Sequence, residues 1–172
     1  MSKIIVAESA GFCFGVNRAI NILYKLIDEN KPACTLGPII HNMQMVNELR
    51  EKGVRTIDKI SEAKENETIV IRSHGVPQSI VDEINERHLD YIDATCPFVS
   101  KIHKIVSETD DDSIVIIAGD KNHPEVQGIM GHCKSKCYTF KNQEELQELF
   151  SIIPQKNYKT IKIVAQTTFD LK

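Results

Sequence analysis

The segments TIVIRSHGVPQSI (68–80) and SIVIIAGDKNHPEVQGI (113–129) place the same features in the same order. Each opens with a run of β-branched residues, passes through a turn to a histidine and a proline, and continues into a helical pattern. The earlier segment TLGPIIHNMQMV (35–46) likewise runs from a strand through a glycine to a histidine and a helix. Repeated units of this kind are typical of α/β proteins with parallel strands, so we predict that fold class.

The alternation of strand and helix patterns extends along the chain. Short β-branched runs predict strands at residues 3–7, 33–36, 54–57, 68–72, 90–93, 113–118, 136–140 and 160–165. Apolar residues at helical spacing predict helices at residues 16–29, 41–52, 78–88, 97–108, 124–130 and 143–150. We therefore expect two similar lobes of parallel sheet flanked by helices, at residues 14–96 and 97–172, after an N-terminal strand and cysteine turn at residues 1–13.

Composition excludes several classes of protein. The chain has 172 residues, a formal net charge of −3 and 41% apolar residues, which is enough for a folded core. It has no basic stripe, so the electrostatic footprint of a nucleic-acid-binding protein is missing. The longest strongly apolar run, residues 114–119, is too short to cross a bilayer, and the N-terminus lacks a signal peptide's apolar stretch. We therefore expect a cytoplasmic protein without membrane or nucleic-acid partners.

Three histidines, His41, His74 and His123, lie just beyond predicted strands and beside predicted helix starts. Open α/β sheets bind ligands at the carboxyl ends of their strands, and a helix N-terminus presents unpaired N–H groups to anions. Histidines there can donate hydrogen bonds to a phosphate, so their equivalent positions predict a shared anion site. The alternative is that each is a capping or solvated loop residue. The other histidines, which we predict to be surface or helix-packing residues, are His88, His103 and His132.

The five cysteines occur at irregular spacings with no CxxC pair, which argues against a disulfide framework and a zinc ribbon. Cys13 in GFCFG and Cys96 in DATCPF each occupy a strand-to-helix turn. A helix N-terminus favours the thiolate, so both are candidate metal ligands or nucleophiles, and the alternative for each is a packed turn residue. Cys34 lies inside a predicted strand, where we expect a buried core residue.

Three further polar residues accompany the predicted anion site. Glu125 follows His123 by two residues, and its alternative role is an ordinary first-turn glutamate favoured by the helix dipole. Thr167 and Thr168 follow the last predicted strand, so their side chains also emerge at a carboxyl end, where they could instead cap the next element.

Six motifs together resemble a known family. They are GFCFGVNRAI (11–20), GPIIHN (37–42), RSHGVP (72–77), DATCPFV (93–99), HPEVQGIMG (123–131) and QTT (166–168). In this order and near these spacings they closely resemble the hydroxymethylbutenyl diphosphate reductase family, also called IspH or LytB. The resemblance runs from about residue 3 to residue 168, which is nearly the whole chain.

The resemblance implies a trefoil of three α/β lobes around a 4Fe-4S cluster held by three cysteines, with one iron open to the substrate. Cys13 and Cys96 match two of these ligands. In the family the N-terminal strand joins the third lobe's sheet, so residues 3–7 would lack partners here. The third cysteine and a Ser-x-Asn segment of the diphosphate pocket lie beyond the position of Lys172. We therefore expect the first two lobes of the enzyme, inactive alone.

The resemblance also implies how an allylic diphosphate would be bound. His41 and His74 match diphosphate-binding histidines, and His123 matches a histidine that contacts the substrate. Thr167 and Thr168 match threonines beside the substrate hydroxyl.

The reaction that the resemblance implies is a two-electron reductive dehydroxylation to isopentenyl and dimethylallyl diphosphates, with ferredoxin or flavodoxin as electron donor. Removing an allylic hydroxyl requires electrons, a Lewis acid and a proton. Glu125 matches the acid that delivers the proton, and His123 and Thr167 complete the candidate catalytic set.

Two other functions remain open from the sequence. One is a diphosphate-binding module that keeps the histidines without redox chemistry. The other is a zinc protein, although no recognised spacing supports its ligands. Its candidate ligands are Cys133, Cys137, His132 and His123. Cys133 and Cys137 lie away from the family motifs, so we do not expect either to replace the third cluster cysteine.

Overall fold

The computed structural model describes residues 3–7, 10–154 and 157–170. Within these residues, helices and strands alternate along the chain. The elements in chain order are α1 (Phe14–Asp28), β1 (Ala33–Leu36), α2 (Met43–Glu51), β2 (Arg55–Ile57), a 3-10 turn (Ile60–Glu62), β3 (Thr68–Ile71), α3 (Gln78–Glu86), β4 (Tyr91–Asp93), α4 (Pro97–Ser107), β5 (Ser113–Ala118), α5 (Pro124–His132), β6 (Lys136–Phe140), α6 (Gln143–Ile152) and β7 (Thr160–Ala165).

The strands form two parallel sheets. The first has the order β2-β1-β3-β4 and the second has the order β6-β5-β7. Every residue of the central strands β1 and β5 is buried, as expected for parallel strands covered on both faces by helices. The predicted fold class of parallel sheets flanked by helices is therefore confirmed.

Alternate residues of each central strand belong to cores on opposite faces of the sheet. In β3, Val70 packs with the apolar face of α1, whereas Ile69 and Ile71 pack with Ile84 of α3. This alternation follows from the two-residue repeat of a strand. The sheets thus hold their carboxyl ends rigidly, and the turns that leave those ends are fixed in space.

Helix α2 begins two residues later than the sequence pattern predicts. Asn42 adopts an extended conformation and its side chain accepts a hydrogen bond from the N–H of Met45 at 3.0 Å, so Asn42 is the N-cap. His41 therefore lies in the turn before the helix, free of helical backbone constraints.

The predicted strand at residues 3–7 is wrong for this chain. These residues have no regular secondary structure, and Ile4, Ile5 and Val6 are 88%, 78% and 75% exposed. A strand needs a hydrogen-bonded neighbour, and neither sheet of the described residues includes this segment. Among the described residues, no helix has the length and apolar character needed to span a membrane.

Candidate active site

Three turns from two different sheets bring His41, His74 and His123 together. Their ring centroids are 4.3 Å apart for His41 and His74, 5.4 Å for His41 and His123, and 5.6 Å for His74 and His123. The histidines follow β1, β3 and β5 respectively. The expected placement at strand ends is confirmed, and the structure adds that the three imidazoles converge on one point.

Hydrogen bonds join the turn that carries His74 to the turns on either side of it. The Ser73 hydroxyl donates to the carbonyl of Ile39 at 3.0 Å, just before His41. The N–H of Cys96 donates to the carbonyl of Ser73 at 2.9 Å. Gly75 closes the turn at φ +73, a left-handed conformation that glycine adopts without strain. The positions of His41, His74 and Cys96 are therefore coupled through Ser73.

Burial favours the uncharged form of two of the three histidines, His74 and His123. Desolvation, with smaller contributions from the positive charges of His41, His123 and Arg72, lowers the pKa of His74 to about 4. Burial likewise lowers the pKa of His123. His74 Nδ1 is buried and has no hydrogen-bond partner among the described residues. A buried polar atom of this kind is costly unless a ligand or water satisfies it, so the cluster is suited to bind one.

His123 is linked through Glu125 to the end of β7. His123 Nδ1 accepts a hydrogen bond from the Glu125 N–H at 3.1 Å, so the neutral ring carries its proton on Nε2. The Glu125 side chain is only 2% exposed. Its Oε1 accepts from the Thr167 N–H at 2.6 Å and its Oε2 accepts from the Thr167 hydroxyl at 2.8 Å. Glu125 does lie in the first turn of α5, as its alternative role requires, but its carboxyl group is buried and held in one orientation by Thr167.

The two threonines have different surroundings. Thr167 binds Glu125, whereas the Thr168 hydroxyl accepts a hydrogen bond from Gln166 Nε2 at 2.8 Å. Both residues are exposed. Thr167 thus belongs to the hydrogen-bond network of His123 and Glu125. Thr168 follows it in the chain and is hydrogen-bonded to Gln166 instead.

Cys13 and Cys96 are the N-cap residues of α1 and α4, and neither side chain forms a capping hydrogen bond. A Cβ added at Gly15 would lie 2.5 Å from Cys96 Sγ, so the first turn of α1 lies directly against this thiol. Arg18 fixes the contact by donating to the carbonyls of Thr95 and Asp93, each at 3.1 Å. Two uncommitted thiols at neighbouring helix N-termini form a donor set that fits iron or another thiophilic metal.

The remaining cysteines have structural surroundings. Cys34 is fully buried in β1, as predicted, and desolvation raises its pKa to about 11. Cys133 and Cys137 pack beside the core of the second sheet, and the hydrogen bond between them lowers the pKa of Cys137 to about 7 and raises that of Cys133. Cys133 lies at the opposite end of α5 from His123, and Cys137 lies in β6.

The zinc interpretation is wrong. His123 caps the N-terminus of α5 and Cys133 caps its C-terminus, with nine helical residues between them. At about 1.5 Å per residue this separation is more than 10 Å, too far for one ion. His132 instead stacks on His103, with ring centroids 4.0 Å apart. Within the described part of the chain, no group of three or more histidine, cysteine or acidic side chains is arranged to hold a metal.

Two residues near the site had no role in the sequence interpretation. Arg72 donates from Nε to the carbonyl of Gly75 at 3.3 Å. The sequence feature that could have identified it is a cation two residues before His74. His103 is 8% exposed, and its Nε2 lies 3.2 Å from where a Cβ on Gly128 of α5 would be. It was predicted only as a helix-packing or surface residue, and the packing role is confirmed.

The chain is similar to one protein family over almost its entire length. A family model described as LytB protein matches residues 4–172. The 4-hydroxy-3-methylbut-2-enyl diphosphate reductase of Alkaliphilus oremlandii (strain OhILAs) is 38% identical over 169 residues, covering 96% of this chain and 58% of that protein. The enzyme of the same name from Clostridioides difficile (strain 630) is 40% identical, covering 98% of this chain and 60% of that protein. The chain thus spans less than two thirds of these relatives.

Two solved structures of reductases with related names are also similar to this chain. A structure described as (E)-4-hydroxy-3-methyl-but-2-enyl diphosphate reductase, the terminal enzyme of the non-mevalonate pathway, superposes with a TM-score of 0.79 at 40% identity. The match covers 99% of this chain and 60% of that one. The E-1-hydroxy-2-methyl-but-2-enyl-4-diphosphate reductase from Plasmodium falciparum also has a TM-score of 0.79, at 26% identity, over 94% of this chain and 50% of that one.

Proposed function

The chain belongs to the LytB family, and from this premise we propose that it forms the substrate-binding and proton-donating part of a 4-hydroxy-3-methylbut-2-enyl diphosphate reductase. The observation that carries the proposal is the convergence of His41, His74 and His123 beside the buried Glu125. The proposed reaction removes the allylic hydroxyl by reduction and gives isopentenyl and dimethylallyl diphosphates. The proposed lobes are residues 14–96 and 97–172, preceded by residues 1–13.

The histidine cluster is proposed to hold the diphosphate. His74 Nδ1 is a buried polar atom without a partner among the described residues, and an oxygen of the ligand would satisfy it. His123 caps α5, whose N-terminal N–H groups face the same region and favour a negative ligand. Neutral His74 and His123 can donate hydrogen bonds to an anion without repelling each other, and the ring of His41 lies 4.3 Å and 5.4 Å from theirs.

Glu125 is proposed to deliver the proton that converts the leaving hydroxyl to water. A general acid must hold its proton at a fixed point close to the reacting oxygen. Thr167 fixes the Glu125 carboxyl at both oxygens, and the main-chain N–H of Glu125 donates to Nδ1 of His123. The Thr167 hydroxyl, which bonds Oε2, is proposed to lie beside the substrate hydroxyl, with Thr168 next to it.

Cys13 and Cys96 are proposed to hold two positions of a 4Fe-4S cluster, and a third ligand is proposed to come from the part of the relatives that this chain does not span. When bound, the cluster supplies the electrons and the Lewis acid that dehydroxylation requires. The chain's own contribution is to present two thiols without hydrogen-bond commitments at adjacent helix N-termini. The proposed electron donor is a cytoplasmic ferredoxin or flavodoxin.

A second candidate function is binding of a diphosphate without redox chemistry. It is favoured by one observation, namely that only two cysteines, Cys13 and Cys96, lie at helix N-caps in the described residues. An iron–sulfur cluster with two protein ligands would expose its irons to oxidation, so such a chain could bind the ligand and hold no iron.

Anaerobic reconstitution tests the proposal. The chain is treated with iron and sulfide, its visible absorption and metal content are measured, and binding of inorganic pyrophosphate is followed by calorimetry. The matched variants are His74→Ala, within the cluster, and His88→Asn, which removes an exposed histidine at φ 54 that asparagine tolerates.

We expect iron and sulfide to bind, and His74→Ala alone to weaken pyrophosphate binding. A colourless chain that still binds pyrophosphate would favour the second candidate. Absence of pyrophosphate binding, or equal binding in both variants, would overturn both.

A further inference from the structure

Arg72 lies between the two turns that carry His41 and His74. Its Nε donates to the carbonyl of Gly75, and the N–H of Gly75 donates back to the carbonyl of Arg72 at 2.9 Å. On its other side, a Cβ added at Gly37 would lie 2.5 Å from Arg72 Nη1. Gly37 begins the turn that leads to His41, so the guanidinium is wedged between these two segments.

The charge of Arg72 is not balanced by any carboxylate at ion-pair distance among the described residues. Arg72, Asp58 and Glu83 line one cavity of about 470 Å³, yet neither carboxylate forms an ion pair with Arg72. Burial lowers the pKa of Arg72, but an arginine remains protonated at neutral pH. A half-buried cation without an ion-pair partner is costly unless an anion nearby offsets its charge.

The field of Arg72 reaches the histidine cluster. The Nε of Arg72 binds the carbonyl of Gly75, the residue that follows His74. Burial is the main cause of the lowered pKa of His74 and of His123, and the positive charge of Arg72 adds a smaller contribution to each. These histidines are neutral at pH 7, so they offer hydrogen bonds to an anion but no charge. A multiply charged diphosphate needs positive potential as well, and Arg72 is positioned to supply it.

We propose that Arg72 is a positioning residue of the anion site, whose guanidinium braces the His41 and His74 turns and supplies positive charge to the site. This inference rests on the proposed function, because it assigns a role to Arg72 at the same diphosphate site. Arg72 thus has two effects that can be tested apart. Bracing of the turns depends on the planar fork of arginine, whereas the electrostatic effect requires only a positive charge.

Three variants test this inference. Arg72→Met keeps length and removes the charge, and Arg72→Lys keeps the charge and removes the fork. Lys59→Met removes an exposed cation that lines the same cavity and is the matched control. Binding of inorganic pyrophosphate is measured by calorimetry at two salt concentrations, and the pKa values of His74 and His123 are measured by NMR without ligand.

We expect Arg72→Met to weaken pyrophosphate binding by about tenfold, to flatten its salt dependence and to raise the pKa of His74 and His123. Arg72→Lys should retain the low histidine pKa values and lose part of the affinity, while Lys59→Met should match the wild type in all three measurements. Failure of the wild type to bind pyrophosphate would overturn the proposed function. Wild-type affinity in Arg72→Met, or unchanged histidine pKa values, would overturn this inference alone.

Discussion

Glu125 shows how a single side chain can serve both stability and chemistry. Its two oxygens accept hydrogen bonds from the main chain and the hydroxyl of Thr167, and these bonds tie the start of α5 to the end of β7. A residue with 2% exposure has no water to replace either bond. Any substitution that removes an acceptor therefore affects the joint between two elements as well as the proposed proton transfer.

We predict that Glu125→Gln lowers the free energy of unfolding by about 1–3 kcal/mol, because the amide group places a donor against one of the two Thr167 donors. Pyrophosphate binding, which depends on His41 and His74, should change little. When the chain is completed with the part of its relatives that it does not span, Glu125→Gln should lower turnover about a hundredfold to ten-thousandfold. Urea denaturation, calorimetry and anaerobic turnover with a chemical reductant measure the three quantities.

Thr167→Val is the control, because it removes the hydroxyl bond to Glu125 and keeps the main-chain bond. It should destabilise less than Glu125→Gln. Turnover of Glu125→Gln near the parent rate would require another proton donor, with His123 or Thr167 as the next candidates.

Helices α4 and α5 pack against each other through a buried histidine. His103 of α4 lies against Gly75 and Gly128, and its ring stacks on His132 of α5 at an interplanar angle of 21°. Burial, reinforced by the charge of His132 and opposed by Asp93, lowers the pKa of His103 to about 4. The contact between the two helices thus depends on His103 remaining neutral.

We predict that stability falls as the pH is lowered from 7 to 5. The pKa of His103 is depressed in the folded state relative to an ordinary value near 6.5, so below that value the unfolded chain binds protons that the folded chain does not. The loss approaches about 1.4 kcal/mol per pH unit for each such histidine. Urea denaturation at pH 7, 6 and 5 measures it, in a range above the titration of most carboxylates.

His103→Gln should reduce the dependence of the free energy of unfolding on pH by the contribution of one proton. His88→Asn, at an exposed position, should leave that dependence unchanged. A wild-type stability that is constant from pH 7 to pH 5 would contradict the prediction.

The sequence predicted the elements well because each strand and helix carries its own periodicity. It placed α2 too early because the side-chain cap at Asn42 outweighs apolar spacing, and it placed a strand at residues 3–7 because β-branched residues do not reveal whether a neighbour exists. It located His41, His74 and His123 at strand ends. The shared anion site that their positions predict agrees with the convergence of the three rings. The distances between the rings could not be predicted, because they depend on how the two lobes pack together, where Gly131 of α5 lies against Pro77 and His132 Nε2 lies 3.1 Å from the carbonyl oxygen of Val76.

Apolar surface remains exposed along one edge of the second sheet. β7 is the last strand of its sheet, and its residues Ile161 and Ile163 are 55% and 69% exposed. Lys162, on the opposite face, donates to the carbonyls of Ile105 and Glu108 near the end of α4. An edge strand with one uncovered apolar face is a template for pairing with another copy of the chain.

We predict concentration-dependent self-association through β7. Ile163→Lys should reduce it, because a lysine on an edge strand opposes pairing. Phe150→Lys, which removes an exposed apolar side chain from α6, should have a smaller effect. Light scattering after size-exclusion chromatography measures the mass of each variant, and a wild-type chain that is monomeric at high concentration would disprove the prediction.

Because the strands are parallel, the two ends of each sheet are under different functional constraints. Except for Cys13, which precedes α1 with no strand before it in the described residues, the candidate ligand-binding side chains follow the carboxyl ends of strands, and the connections at the opposite ends, such as residues 108–112 before β5, carry none of them. Those connections can lengthen, shorten or acquire charge while the histidines and thiols keep their places. Adaptation to temperature or to a new host cell can therefore proceed at one end of the sheets without altering the reaction at the other.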